Sequence, residues 1–194
     1  MPSSRRSLLI AFLTLPLIHA ARRKAFAQSG PELPLTLECH DADDLTLERE
    51  AGPFFKPNSP HNRELHADAL DGERITVAGF VLDRHCRPLA GCLVEIWHAD
   101  ENGAYDSVGF RLGGHQFTDV QGRWWFNTIV PALYPGRTRH FHFKVQRPGG
   151  RLLTTQLYFP GEAGNVGDRL FHETLLLDMK ETGDGRFGRF DFVV

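Results

Sequence analysis

Tyrosine and cysteine are both scarce in this chain, with three of each against fifteen phenylalanines in 194 residues. The cysteines include no C-x-x-C pair, which argues against a cysteine-held metal. Excess charge is lacking too. A formal net charge of −2 gives no sign of nucleic acid or an anionic membrane as a partner. Nothing repeats, and no low-complexity tract interrupts the chain. The apolar run from Leu8 to about Ala21 is too short to span a bilayer, so no membrane span is expected in the mature chain.

That run instead has the form of an export signal over residues 1–27. Ser4-Arg5-Arg6-Ser7 precedes it, and Ala25-Phe26-Ala27 supplies small residues for cleavage. The paired arginines resemble a twin-arginine signal, which carries folded proteins to a periplasmic or extracellular destination. About 165 residues would remain, enough for one domain with a sizeable core. Such a compartment permits disulfides. Cys39, Cys86 and Cys92 allow one bridge at most, and Cys92, alternating with Val94 and Ile96, reads as a buried thiol. A Cys39 to Cys86 bridge is therefore expected.

Residues 28–73 read as an irregular arm rich in Pro, Asp and His, with a short helical turn near Ala67. From Arg74 to the end at 194 the pattern is β. Strands are expected at about 74–83, 92–99, 123–130, 139–146, 152–159 and 186–193, bounded by pairs such as Asp71-Gly72, Asn102-Gly103 and Gln121-Gly122. Short strands at this spacing predict an all-β fold, a single β-sandwich domain. The alternating run from Phe187 to Val194 should close an edge, and 161–177 should be loop followed by a weakly helical or extended segment. Trp124-Trp125-Phe126 is read as core plus a partly exposed partner surface.

The chemistry is concentrated in four residues. In Arg139-His140-Phe141-His142-Phe143-Lys144-Val145, side chains alternate, so both imidazoles leave one face and can meet one ion while the phenylalanines pack on the other. H-x-H alone is also common in ordinary β cores. Tyr134, in the Pro and Gly-punctuated loop from Val130 to Gly136, and Tyr105, after the turn Asp100-Glu101-Asn102-Gly103, place scarce phenols at loop mouths. A phenol ionises near pKa ~10, so a phenolate at neutral pH costs about 4 kcal/mol unless a cation compensates. Hard anionic oxygens favour the harder, oxidised state of iron, whereas zinc draws on Cys, His and carboxylate. The set Tyr105, Tyr134, His140 and His142 therefore points to non-haem Fe(III).

These residues stand in a longer pattern. Its pieces are Ala51-Gly52-Pro53-Phe54-Phe55, Val94-Glu95-Ile96-Trp97-His98-Ala99-Asp100 with Gly103-Ala104-Tyr105, and Asp119-Val120-Gln121-Gly122-Arg123. Tyr134-Pro135-Gly136-Arg137-Thr138-Arg139-His140-Phe141-His142 and Thr155-Gln156-Leu157-Tyr158-Phe159 follow. The chain resembles the intradiol ring-cleavage dioxygenases, the catechol and protocatechuate 3,4-type enzymes, in a compact exported branch. Two positions depart from the pattern: Ala51 stands where a glutamate is usual, and Ala132 where Pro-Gly is usual before the second tyrosine.

The resemblance implies a β-sandwich holding Fe(III) through Tyr105, Tyr134, His140 and His142. Its partners would be O2 and a small catechol-type aromatic. It further implies that Tyr134 yields to substrate and serves as a base, that Arg137 is an active-site arginine, and that Gln156 lies near the iron. The ring would open between its hydroxylated carbons to a muconate-type product. Arg137 suits stabilisation of charge developing on the substrate. Arg139 and the histidines His40, His61, His66, His85, His115 and His172 read as surface groups, and His98 is left open. Two other readings stand beside this one. A cupin-like metal enzyme also uses H-x-H but wants a glutamate shortly downstream, where Lys144 to Arg147 stand. A non-catalytic β-sandwich binding module with a vestigial site is the second. The choice of catechol is not legible in the sequence, and a homo-oligomer is compatible with it.

Overall fold

A computed structural model of the chain describes residues 45–68, 71–183 and 185–194. Residues 1–27, read from the sequence as an export signal, and His40 and Cys39 lie outside them. Among the described residues nine strands form two sheets: β1 (Arg74–Leu82), β2 (Leu93–Trp97), β3 (Gly113–Phe117), β4 (Arg123–Ile129), β5 (His140–Gln146), β6 (Leu153–Tyr158), β7 (Asp178–Thr182), β8 (Gly185–Arg189) and β9 (Phe192–Val193). One sheet runs β4-β1-β8-β7 with β9 also on β1, and the other runs β3-β2-β5-β6. Helical structure among the described residues is confined to three short 3-10 turns, one at Leu65–Asp68 near the expected position. None of it is long and apolar enough to cross a membrane.

The two sheets close on aromatic side chains. Phe141 and Phe143 leave the core face of β5 fully buried, and Trp124 and Phe192 pack against Phe143 from the opposite sheet at ring distances of 5.3 and 5.2 Å. Each such ring contributes roughly 2–3 kcal/mol by leaving water. Trp125 is buried as well, beneath Arg63 at 4.1 Å, so the triplet presents no exposed partner surface. Cys92 is a free, fully buried thiol as expected, and Cys86 is disulfide-bonded.

Strand edges are covered by the segment preceding β1. Arg49 N–H donates to Thr154 O at 2.8 Å and Thr155 Oγ1 to Leu47 O at 2.7 Å along β6, while Asn62 N–H donates to His115 O at 3.1 Å along β3. Backbone groups that would template foreign strands are thereby occupied. This pairing also lays residues 50–55 over the face of β5 that carries the histidines.

Three expectations are corrected. The carboxy-terminal run does not form one edge strand. The ladder is interrupted at Phe190 and Asp191 between β8 and β9, where the Asp191 carboxylate accepts the Phe80 N–H at 2.9 Å in place of a backbone carbonyl. β8 is then interior, parallel to β1 and paired on its other side with β7. β3 and β7 were not expected. Gly113-Gly114 weakens the strand signal of the first, and Asp178-Met179-Lys180-Glu181-Thr182 is too polar to signal the second.

Candidate metal centre

Register alone assembles the floor of the site. Antiparallel pairing sets Trp97 of β2 opposite His142 of β5, and His142 opposite Gln156 of β6, with His140 opposite Tyr158 one step along. Trp97 stacks on the His142 ring at 5.0 Å and 7°. Phe55, tilted against Trp97 at 4.9 Å and capped by Lys144 Nζ at 3.5 Å, pins the covering segment in place.

Two loops bring the phenols. They are clamped together where Ala132 N–H donates to Asp100 O at 2.9 Å and Gly103 backs onto Leu133 O. Gly103 needs its φ of +82°, and a Cβ there would lie 2.4 Å from that oxygen, so no other residue fits without parting the loops. The Tyr105 and Tyr134 rings meet edge to face at 5.8 Å, and Phe54 stacks on Tyr105 at 4.3 Å.

Three polar heads converge. Tyr105 Oη lies 3.3 Å from His140 Nε2 and 3.2 Å from His142 Nε2, and the two nitrogens are 3.1 Å apart. His140 Nδ1 faces the Thr138 carbonyl at 2.7 Å, which can only accept, so Nδ1 carries the proton and Nε2 presents a lone pair. His142 Nδ1 is buried without a hydrogen-bond partner. Burial pushes the His140 imidazole down to about 4 and the His142 imidazole well below its ordinary range, and it pushes the Tyr105 phenol up. Neutral imidazoles aimed at one another beside a protonated phenol leave lone pairs crowded together. A cation resolves the crowding: atoms so spaced share a point about 2 Å from each, the length of a metal–imidazole bond. Among the described residues no three of His, Cys, Asp and Glu are grouped to hold a metal, and the heads that converge here are two imidazoles and a phenol.

Arg137 stands beside this set, and its charge acts on Tyr105, His140 and His142. Its Nε donates to Asp168 Oδ2 at 2.8 Å and its Nη2 to Gln156 Oε1 at 2.6 Å. Gln156 is fully buried with both ends engaged, its Nε2 donating to Glu50 O at 2.8 Å, so it works through Arg137. The Tyr158 hydroxyl lies 2.8 Å from both Gln156 Oε1 and Leu170 O, and burial pushes its phenol up to about 12. Sequence reasoning missed Tyr158 and Asp168. The first could have been found from its same-face spacing to Gln156, whereas Asp168 sits in a loop with no pattern around it. Arg139 is structural, paired with Glu162 at 2.7 Å. His115 is half-buried and bonded to Ser59, while His61, His85 and His172 are exposed.

His98 is buried behind the site between Ala99 O and Thr128 Oγ1, each at 2.7 Å, with Phe141 edge-on at 4.9 Å. Burial pushes its imidazole down to about 4. The unfolded chain takes up this proton near pH ~6.5, and the folded chain does so only near the lower value. Stability should therefore be flat above pH ~6.5 and fall toward pH ~4, by up to about 3 kcal/mol from His98, with His140 acting in the same direction in metal-free protein. Urea unfolding across this range measures it, and a midpoint that does not move would reject the neutral buried histidine.

Comparison with known proteins identifies the family. The family model described as dioxygenase matches residues 50–175. The protocatechuate 3,4-dioxygenase beta chain of Burkholderia cepacia is 34% identical over 152 residues, covering 63% of this chain and 65% of that one. Catechol 1,2-dioxygenase 2 of Acinetobacter lwoffii is 32% identical over 138 residues, covering 57% and 50%. The chain spans about half to two thirds of the length of the curated relatives it matches. The dioxygenase domain of a dioxygenase carbohydrate-binding protein fusion from Streptomyces sp. SirexAA-E superposes with a TM-score of 0.76 at 51% identity, covering 78% of this chain and 98% of that one. With its sandwich, its ordered motifs and this match over most of its length, the chain belongs to the intradiol ring-cleavage dioxygenase family.

Proposed function

We propose that the protein opens a catechol-type ring between its two hydroxylated carbons with O2, as an Fe(III) intradiol dioxygenase. The observation that carries this reading is the convergence of Tyr105 Oη, His140 Nε2 and His142 Nε2 within 3.1–3.3 Å, beside Tyr134 and Arg137. Tyr105, Tyr134, His140 and His142 would hold the ferric ion, which when bound supplies the Lewis acidity that lets a deprotonated catechol react with O2. The chain's own residues do the rest. Tyr134 is half-buried at the mouth and suited to take up a catechol proton on its phenolic oxygen. Phe54, Phe55 and Trp97 wall the centre with apolar surface that excludes water. Arg137 supplies a fixed positive charge where the substrate gains electron density.

Product analysis tests the reading. Catechol should give cis,cis-muconate, absorbing in the ultraviolet. A yellow hydroxymuconic semialdehyde, from cleavage beside the hydroxylated carbons, would overturn it. Binding of catechol without consumption of O2 would instead favour the non-catalytic module.

Export is proposed on the sequence alone, since residues 1–27 lie outside those described. Changing Arg5 and Arg6 to Lys should leave precursor of full length inside the cell while wild type is found outside the cytoplasm. Undiminished export of the double variant would assign the chain to the general secretory route.

A further inference from the structure

We propose that Asp168 is the positioning residue of this centre, a single buried carboxylate that sets both the Arg137 guanidinium and, through the backbone of Thr138, the His140 imidazole. The inference rests on the ring-cleaving reading of the site. Asp168 lies in the loop after β6, remote in sequence from the ligands, and its side chain is 1% exposed. Oδ2 accepts from Arg137 Nε at 2.8 Å and from Thr138 N–H at 2.9 Å, and Oδ1 accepts from Leu170 N–H at 2.9 Å. The Thr138 carbonyl in turn takes the His140 Nδ1 proton at 2.7 Å. One carboxylate oxygen thus meets the arginine on one side and, on the other, the N–H of the residue whose carbonyl faces His140.

Two features separate this arrangement from an ordinary surface ion pair. Exposed pairs contribute about 0–1 kcal/mol and leave the arginine free to reorient. Here the guanidinium is held at two points by two elements, Asp168 from the loop and Gln156 from β6, and Gln156 is itself fixed by the Glu50 carbonyl. Nε and Nη2 are committed to these partners, so the guanidinium plane is set before any substrate arrives, which is the condition for electrostatic preorganisation. The carboxylate also offsets the arginine's charge next to two neutral imidazoles, which an uncompensated cation would disfavour as donors to a metal. Leu170 extends the frame: its carbonyl accepts from Arg49 Nε at 2.7 Å and lies 2.8 Å from the Tyr158 hydroxyl. The loop that delivers Asp168 is therefore tied to both the covering segment and β6.

The test is a double-mutant cycle with Asp168→Asn and Arg137→Ala in the iron-loaded protein, joined to a crystal structure of the metal-free Asp168→Asn variant. Changes to groups that orient metal-site residues typically cost roughly 10- to 100-fold in activity. Asp168→Asn should lower kcat by about that factor with little change in KM, with iron content and visible band retained. In the Arg137→Ala background it should lower kcat by a clearly smaller factor, the part that acts through Thr138 on His140, and the crystal structure should show the guanidinium shifted away from Gln156. Equal losses in both backgrounds, or an unmoved guanidinium, would overturn the proposal. Should Asp168→Asn not fold, Arg137→Lys carries the same test. It keeps the charge but cannot span Asp168 and Gln156 together, so it should be nearly as impaired as Arg137→Ala, and wild-type turnover in it would refute the need for positioning. Failure of the wild type to open any catechol would sink the reading of the site, while the metal-free crystal structure would still decide whether Asp168 places Arg137.

Discussion

His142→Ala is expected to strip the protein of metal, colour and turnover together. Wild type should contain about one ferric ion per chain and show a broad visible band from phenolate-to-iron charge transfer. The three mapped donor heads form a near-equilateral set with sides of 3.1–3.3 Å, and removing one neutral nitrogen leaves a single imidazole with the phenols. Even changes outside the ligand shell cost roughly 10- to 100-fold in metal affinity or activity, so loss of a ligand should cost at least ~10³ in turnover. The strand itself should survive, because Phe141 and Phe143 anchor its core face. Tyr105→Phe should behave differently, shifting or weakening the band while both imidazoles continue to bind. Iron analysis and a visible spectrum of each variant suffice as measurements. A colourless wild type that is active with zinc would end the ferric reading, and a fully coloured His142→Ala would remove that residue from the ligand set.

Much of the fold was legible because a half-buried strand writes its two faces into alternate residues. His140-Phe141-His142-Phe143 displays this directly: the phenylalanines are in the core and the imidazoles on the site face, as alternation requires. The failures have physical causes. Gly113-Gly114 carries no side chains with which to announce β3, and β7 lies at a sheet edge where polar residues are tolerated. Phe187 to Val194 alternates without fault yet is broken in two, because a side-chain carboxylate replaces one rung of the ladder at Phe80. Alternation reports which face is buried and says nothing of which strand lies alongside.

The site divides in the same manner. Rare phenols and an H-x-H pair mark candidate donors by chemistry, and the structure brings Tyr105, His140 and His142 into contact, with Tyr134 against Tyr105. The groups that hold Arg137 were hidden, since Asp168 is 31 residues away and one carboxylate among many in the sequence. Gln156 was visible through its place in Thr155-Gln156-Leu157-Tyr158-Phe159, but its work on Arg137 rather than on a ligand depends on cross-strand register.

Arg137→Ala is expected to lower turnover by ~10² or more while leaving substrate chelation intact. The Arg137 side chain is 19% exposed, its guanidinium is fixed by Asp168 and Gln156, and it is close enough that its charge acts on Tyr105, His140 and His142. A charge so placed and so constrained stabilises whatever negative charge develops on the substrate as O2 attacks, without reorganising at that moment. If it served mainly to hold the catechol, KM would rise and kcat would not change; if it serves the transition state, kcat and kcat/KM fall together. The spectral change on adding catechol under nitrogen reports chelation separately and should persist in the variant. Truncation also leaves Asp168 with one donor fewer in a buried setting, so thermal unfolding should be measured alongside, and a folded, iron-loaded variant is the proper comparison. Unchanged turnover in that variant would remove Arg137 from the chemistry while the metal centre stands. A rise in KM with kcat intact would make it a substrate anchor, and the charge stabilisation would then have to come from elsewhere in the site.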